Sequence, residues 1–185
     1  MNAIIENLLT RRSTRAFLQK EIPDNELNEI LQAAIYAPSG MGKQTWKFTV
    51  LCNQEKIQQL AELIGRKLGR KGYDMYRPQV LIIPSNQKEN PHGMEDNACA
   101  LENIFLAAHS FGIGSVWINQ LRTLCDDPEV RALLDEFEIP SDHVVYGMAA
   151  LGYPADAPKK EIHKIGEIRI CLLYTSPSPR DPKTS

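Results

Sequence analysis

The segment that most constrains this chain is a helix with almost no polar face. Residues 94–111 have helical spacing, and apolar side chains cover most of the circumference: Ala98, Leu101, Ile104, Phe105, Leu106, Ala107 and Ala108. A surface helix shows a single apolar stripe, so a helix that is apolar nearly all round is buried on several sides. The chain has only 185 residues, enough for one domain. The pattern therefore favours packing against a second subunit.

The remaining periodic segments mix short helices with short strands. We predict helices at residues 2–10, 24–37, 54–68 and 127–137, and strands at residues 46–51, 80–83, 115–118 and 143–151. Asp24 is the expected N-cap of the second helix, and Asp127 followed by Pro128 is a strong start for the last one. Without an internal repeat or a second core, the chain is expected to form one domain over residues 1–171.

Residues 172–185 differ from the rest of the chain. The stretch 174–182 contains three prolines and has no apolar periodicity, which excludes a helix or a central strand. It also resembles translated vector or adaptor sequence. We therefore expect residues 172–185 to be a disordered, non-native tail that replaces the native C-terminus.

Charge and cysteine usage exclude several classes of protein. The formal net charge is -2 and the isoelectric point is near 6.1, so the chain lacks the overall positive charge that holds a nucleic-acid backbone. The four cysteines are far apart and form no Cys-x-x-Cys pair, which argues against a zinc site or a disulfide framework. There is no leader and no long apolar run. We expect a soluble cytoplasmic protein that binds a small anion, with no metal, nucleic-acid or membrane partner.

Residues 11–15 carry the densest set of anion-binding groups. Arg11, Arg12 and Arg15 present guanidinium forks that pair with phosphate oxygens two at a time, and Ser13 adds a small hydroxyl donor. The segment is therefore a candidate phosphate site. Taken alone, the run is explained more simply as a solvated basic face.

Three further segments follow in order along the chain: Ala37–Trp46 (APSGMGKQTW), Gly112–Ile118 (GIGSVWI) and Leu151–Ala155 (LGYPA), the last followed by Lys159 and Lys160. With residues 11–15, their order and spacing over residues 2–165 resemble the nitroreductase family of FMN-dependent oxidoreductases. The resemblance implies an α+β fold, an α/β/α sandwich with a central, mostly antiparallel sheet. It also implies a homodimer with FMN at the subunit interface.

The family pattern assigns the first segment to FMN. Arg11 and Ser13 would bind the phosphate, and Arg12 would contact phosphate or ribose, or lie in solvent. Arg15 would lie at the N1 and O2 edge of the flavin ring, where a cation stabilises the negative charge that reduction leaves.

The second segment would reach the FMN from the partner subunit. The resemblance places Pro38, Ser39 and Gly40 against the cofactor and makes Gln44 a polar contact to the flavin, with an ordinary helix-ending turn as the alternative. Many relatives carry Asn where this chain has Gly42 and Pro where it has Thr45. That difference puts a side-chain contact from position 42 in question.

The last two segments complete the expected site. Asn119 would present a backbone donor to flavin N5. Gly152 and Tyr153 would form the closing turn, and Lys160 or its neighbour Lys159 would add a cation at the phosphate. A pair of surface lysines is the alternative for these last two residues.

The resemblance implies hydride transfer from NADPH or NADH through flavin N5 to a quinone, nitroaromatic or similar small acceptor by a ping-pong mechanism. No side chain is expected to be catalytic, because the flavin carries the chemistry. Reductive dehalogenation or an ene-type reduction would use the same cofactor. The alternative from another class is a non-enzymatic module that binds a phosphoanion or nucleic acid through residues 11–15 and the basic segment 66–71.

Overall fold

The computed structural model describes residues 1–156 and 164–170. Its helices are α1 (Ala3–Thr10), α2 (Asp24–Ile35), α3 (Gln54–Lys67), α4 (Gly93–Ser110) and α5 (Pro128–Glu136). Its strands are β1 (Trp46–Leu51), β2 (Val80–Gln87), β3 (Gly114–Ile118), β4 (His143–Val144) and β5 (Met148–Gly152). Short 3₁₀ turns lie at Gly40–Gly42 and Gln120–Thr123. Lys159, Lys160 and the predicted tail at 172–185 lie outside the described residues.

The strands form one antiparallel sheet in the order β1-β2-β5-β3, and β4 pairs with the far end of β2. Strand β2 is central: Ile82 lies opposite Val50 of β1 on one side and opposite Ala149 of β5 on the other. Every named strand pair is antiparallel, which agrees with the predicted sheet.

Helices cover both faces of the sheet because β2 is apolar on both faces. Leu81 and Ile83 belong to a core cluster with residues of α3 and α5, while Val80 and Ile82 belong to a second cluster with α2 and α4. Successive side chains of a strand point to opposite faces, so one continuous apolar strand serves both clusters. The result is the three-layer α+β arrangement that the sequence predicted.

Helix α4 packs on the sheet and on α2, and a hydrogen bond from the Asn103 side-chain amide to the Ala33 carbonyl (2.8 Å) fixes the two helices together. Helix α1 is attached differently. It has no buried residue, and the Asn7 side chain donates to the Leu106 carbonyl of α4 at 2.9 Å. Its apolar side chains Ile4, Ile5, Leu8 and Leu9 are 43–73% exposed. This face of the described chain is apolar and open.

Three predictions about local structure were wrong. Asp24 is the first residue of α2 rather than its N-cap, because Pro23 takes the cap position with an extended backbone and no side-chain cap. Strand β2 runs four residues beyond Ile83 to Gln87, because the polar side chains of Ser85 and Asn86 are buried and hydrogen-bonded. The predicted strand 143–151 is two strands, β4 and β5, interrupted at residues 145–147.

Gly147, within this interruption, lies directly against the indole of Trp117. A Cβ atom there would lie 2.5 Å from the Trp117 ring, so only glycine admits the indole of β3 at this point. None of the helices within residues 1–156 and 164–170 is long and apolar enough to cross a membrane.

Truncating Ile82 to Ala should destabilise the fold by about 2–5 kcal/mol, the usual cost of emptying a fully buried aliphatic site. Urea unfolding at fixed protein concentration measures the change. The matched control is Leu68→Ala at the C-terminal end of α3, where the side chain is 37% exposed and the expected loss is below about 1 kcal/mol. Equal losses in the two variants would contradict the central position of β2.

Candidate functional site

The basic segment 11–15 lies against the edge of the sheet where β3 begins and β5 ends. The Thr14 backbone N–H donates to the Ser115 carbonyl at 2.9 Å, and Ser13 forms a parallel bridge with Ser115. A little further on, the Leu18 N–H donates to the Tyr153 carbonyl at 2.8 Å. The N-terminal segment therefore contacts both Gly112–Ile118 and Leu151–Ala155, which lie about 100 residues or more later in the chain.

Two glycines allow this close approach. A Cβ atom at Gly114 would lie 2.5 Å from the Thr14 hydroxyl oxygen, and one at Gly152 would lie 2.9 Å from the Phe17 ring. Contacts this short between a Cβ and a neighbour do not occur without displacement of the neighbour. Gly114 and Gly152 thus allow residues 14–17 to pack directly against the ends of β3 and β5.

Arg11 is held against α4. Its guanidinium lies 5.8 Å from the centre of the Phe105 ring, and its Nε is 4.0 Å from a carboxylate oxygen of Glu102. The Arg11 side chain is only 24% exposed. One long ion pair leaves most of the guanidinium donors available to an anion.

The other three predicted FMN contacts of the segment, Arg12, Ser13 and Arg15, differ in their surroundings. Arg12 donates through Nη1 to the carbonyls of Leu9 and Arg11, both at 2.8 Å, and so caps the C-terminal end of α1. Ser13 and Arg15 are exposed, and among the residues described neither side chain has a hydrogen-bond or ion-pair partner. Ser13 and Arg15 are free to bind, whereas Arg12 already has a structural contact.

A histidine that the sequence did not place in the site lies beside these arginines. His109 Nε2 is 2.9 Å from the Thr10 hydroxyl. Partial burial, followed by the charges of Arg11 and Arg12, lowers the pKa of the His109 imidazole below its ordinary value. The charges of Arg11 and Arg12 are thus close enough to His109 to disfavour a further positive charge on its imidazole.

The side chain of Tyr153, in the predicted closing turn, already has contacts within the chain. The Tyr153 hydroxyl lies 3.2 Å from a carboxylate oxygen of Glu26, and the Lys20 ammonium lies 4.1 Å from the centre of the Tyr153 ring. Tyr153 is thereby fixed between α2 and the end of β5. Lys160, the predicted phosphate cation, lies outside the described residues.

The segment 38–44 lies at the opposite end of α4, beside its first turn. The Gly40 backbone N–H donates to a carboxylate oxygen of Asp96 at 2.7 Å. Asp96 is ten residues before Leu106, roughly 15 Å along the helix axis. Within one subunit, Pro38, Ser39, Gly40 and Gln44 are therefore not gathered around Arg11. The expectation that they serve the partner's site remains a prediction.

Asn119 follows β3 and leads into the 3₁₀ turn at Gln120–Thr123. Its backbone N–H donates to the Gln120 side-chain oxygen at 3.0 Å, and its own side-chain oxygen is 3.4 Å from the Trp117 indole nitrogen. The backbone donor predicted for flavin N5 is thus present at the end of the strand. It would have to exchange its Gln120 contact for the flavin.

The basic segment 66–71, which supported the alternative function, is partly neutralised. Arg66 pairs with Glu129 at 3.2 Å, and Lys67 pairs with Glu129 at 2.7 Å and Asp127 at 3.0 Å. Arg70 and Lys71 line a shallow cavity of about 420 Å³ together with Tyr73. Two uncompensated cations do not make the continuous positive surface that a nucleic-acid backbone requires.

Sequence reasoning missed a buried polar cluster around Asp96. Its members are almost completely buried and hydrogen-bonded to one another: Asn86, Asn90, Asp96 and Asn97, joined by the partly buried Thr45. Polar residues at the start of an otherwise apolar helix were the available signal. Among the residues described, no group of three His, Cys, Asp or Glu side chains could hold a metal ion.

Comparison with known proteins identifies the family to which the chain is similar. The model of the family described as "Nitroreductase family" matches residues 8–79 and 67–153. A crystal structure of a nitroreductase with bound FMN from Bacteroides fragilis is 43% identical, with a TM-score of 0.88, over 93% of this chain and 100% of that chain. A protein of Archaeoglobus fulgidus, provisionally named NADH dehydrogenase/NAD(P)H nitroreductase, is 32% identical over 84% of this chain and 88% of its own length. The FMN reductase (NADPH) of Bacillus subtilis is 27% identical over 87% of this chain and 70% of its own length.

The lowered pKa of His109 makes a prediction with a definite sign. The folded protein resists protonation of His109 and the unfolded chain does not, so His109 contributes stability above pH 6.5 that is lost as pH falls through the lowered folded value. The imidazole resonance that disappears in His109→Gln should titrate below pH 6.5 in a proton NMR titration of the wild type. Unfolding free energy should also fall less between pH 7 and pH 5 in His109→Gln. A resonance that titrates above pH 6.5 would contradict the partial burial of His109 beside the arginine charges.

Proposed function

The chain belongs to the nitroreductase family, and we propose that it is an FMN-dependent oxidoreductase that takes hydride from NADPH or NADH and reduces a small acceptor. The observation that carries the proposal is the docking of residues 13–18 beside Ser115 and Tyr153, which holds the predicted phosphate donors at one edge of the sheet. The matched crystal structure, 43% identical, is that of a nitroreductase with bound FMN.

The residues present fit an FMN phosphate. Arg11 and Arg15 supply guanidinium donors, and the Ser13 hydroxyl is exposed between them in sequence. Ser115, whose backbone forms a bridge with Ser13, has a buried hydroxyl with no hydrogen-bond partner among the described residues. A buried polar atom without a partner is costly, and a bound ligand is one way to satisfy it. The set of free donors thus suits a doubly charged, oxygen-rich ligand.

When bound, FMN supplies a hydride acceptor at N5 and returns two electrons to a second substrate. We propose that the two substrates use the same site in turn, a ping-pong order, and that a quinone or nitroaromatic is the acceptor. The chain's own residues would bind and orient. Arg11 and Ser13 would hold the phosphate, and Arg15 would stabilise negative charge at the pyrimidine edge of the ring.

We propose that the active protein is a homodimer. The exposed apolar side chains of α1, including Ile4 and Leu9, form an open face beside α4. We propose that a second copy covers this face and that, as the family resemblance implies, its segment 38–44 reaches the FMN site of the first copy. The cysteines of the described residues, Cys52, Cys99 and Cys125, are free thiols, which fits the cytoplasm as the compartment.

The visible absorption spectrum tests the proposal directly. Purified protein, incubated with FMN and desalted, should keep a yellow chromophore that is bleached anaerobically by NADPH or NADH and restored by a quinone. The rate of bleaching ranks the two nucleotides. If the protein retains no flavin at micromolar FMN, the proposed cofactor and the proposed activity are both contradicted.

Arg11→Ala should weaken FMN binding by about ten- to a hundredfold, because a hydrogen bond to a charged group contributes roughly 1.5–3 kcal/mol. Fluorescence quenching of FMN by the apoprotein measures the dissociation constant. Arg66→Ala is the matched control, since Arg66 pairs with Glu129 on the other side of the molecule and should leave the constant unchanged. Equal effects of the two substitutions would exclude a specific role of Arg11.

Arg15→Ala should make the two-electron potential of the bound flavin more negative, because the variant lacks the cation that stabilises the reduced form. Equilibration with a reference dye under anaerobic conditions measures the potential. Arg15→Lys keeps the charge and should restore most of the wild-type value. An unchanged potential in Arg15→Ala would place Arg15 away from the flavin ring.

A further inference from the structure

We propose that Asp96, acting directly on Gly40 and through Asn90 on Thr45, is a positioning residue that holds the segment 38–45 in the shape that contacts FMN. The inference rests on the proposed function, because the segment's contact with FMN is part of it. Asp96 itself would not touch the cofactor. Its effect would pass through the backbone of Gly40 and through the side chain of Thr45.

The segment does not hold its own shape. Met41 (φ 55°), Gly42 (φ 64°) and Gln44 (φ 50°) have left-handed backbones, and two of these three residues have side chains. Each left-handed residue other than glycine costs roughly 1–2 kcal/mol. The 3₁₀ turn within this segment, Gly40–Gly42, is held by two backbone hydrogen bonds, from Gly42 N–H to the Ser39 carbonyl and from Lys43 N–H to the Gly40 carbonyl. Contacts from outside the segment must therefore maintain this conformation.

Asp96 supplies the strongest of these outside contacts. Its side chain lies in the first turn of α4 and is 2% exposed, yet it makes no hydrogen bond to the N–H groups of its own helix. One carboxylate oxygen accepts from the Gly40 N–H at 2.7 Å, and the other accepts from the Asn90 side chain at 3.0 Å. A buried carboxylate is tolerated only with such partners. The carboxylate is thus committed to a loop 56 residues earlier in the chain.

Gly40 is also fixed sterically from the side of His92. A Cβ atom at position 40 would lie 2.5 Å from the His92 ring. The backbone at Gly40 therefore lies in contact with the His92 ring and hydrogen-bonded to Asp96. A small displacement of Asp96 would move the Ser39 and Gly40 backbone directly.

Asn90 extends the same contact to the other end of the segment. Its side-chain nitrogen lies 3.0 Å from Asp96, 2.9 Å from the Thr45 hydroxyl and 3.3 Å from the Asn86 side-chain oxygen. The Thr45 hydroxyl donates to Asn86 at 2.6 Å. The segment is therefore tied at Gly40 and at Thr45 to one buried polar cluster, and the exposed residues 41–44 lie between the two ties.

This arrangement predicts a defect in FMN binding that exceeds the loss of stability. At a temperature well below the unfolding midpoint of every variant, Asp96→Ala should raise the FMN dissociation constant of the apoprotein about tenfold or more. Asp96→Asn keeps an oxygen for the Gly40 N–H and loses the acceptor for Asn90, so its effect should be intermediate. Ile64→Val, in the fully buried core between α3 and the sheet, is the control for destabilisation alone and should leave the constant within twofold of wild type.

Thr45→Val tests the second tie without changing charge or size greatly. It should raise the dissociation constant of FMN about threefold. The double variant Asp96→Asn/Thr45→Val should raise this constant by less than the product of the two single effects, because both substitutions act through Asn90. A double-mutant cycle measures this coupling. Strictly multiplicative effects would overturn the shared cluster.

The outcomes are separable. If wild-type protein binds no FMN, the proposed function fails before Asp96 is tested. If wild type binds FMN and Asp96→Ala matches Ile64→Val, the positioning role is overturned while the proposed function stands. If Asp96→Ala does not fold, Asp96→Asn and Thr45→Val decide, and wild-type affinity in both would overturn the role.

Discussion

The burial of α4 is the constraint on which the rest of the structure depends. Leu101 and Ile104 are completely buried against α2 and the sheet, and the same helix contacts both parts of the candidate site. Its first turn holds Gly40 through Asp96, while Phe105 and Leu106 lie near its other end against Arg11 and Asn7. Because a packed helix moves as a unit, its position fixes the spacing of the two segments.

The distribution of charge matters more for function than its sum. The chain is slightly acidic, with a net charge of -2, yet partial burial together with the nearby charges of Arg11 and Arg12 lowers the pKa of His109. Elsewhere the cations Arg66 and Lys67 are matched by Glu129. The proposed anion site therefore rests on positive charge concentrated at one edge of the sheet rather than on a general basic surface.

Local signals predicted most of the elements. Strand 46–51 is correct to the residue, and Asp127 with Pro128 begins α5 as expected, because the cap and the proline act through adjacent backbone groups. The failures at residues 84–87 and 145–147 have distant causes. Ser85 and Asn86 remain in β2 because His143 and Thr45 satisfy them, and Gly147, in the break before β5, lies against Trp117 of β3. Periodicity carries no information about such partners.

The sequence by itself determined which groups are available: three arginines and a serine within five residues, a helix apolar nearly all round, and a β2 core that is apolar on both faces. These properties depend on residue type and on spacing along the chain. Only the tertiary structure decided that Ser13 lies beside Ser115, that Arg12 caps α1, and that Asp96 reaches back to Gly40. Hydrogen bonds between residues far apart in sequence form only after α4 and the sheet have packed, because their geometry is set by elements that neither residue belongs to alone.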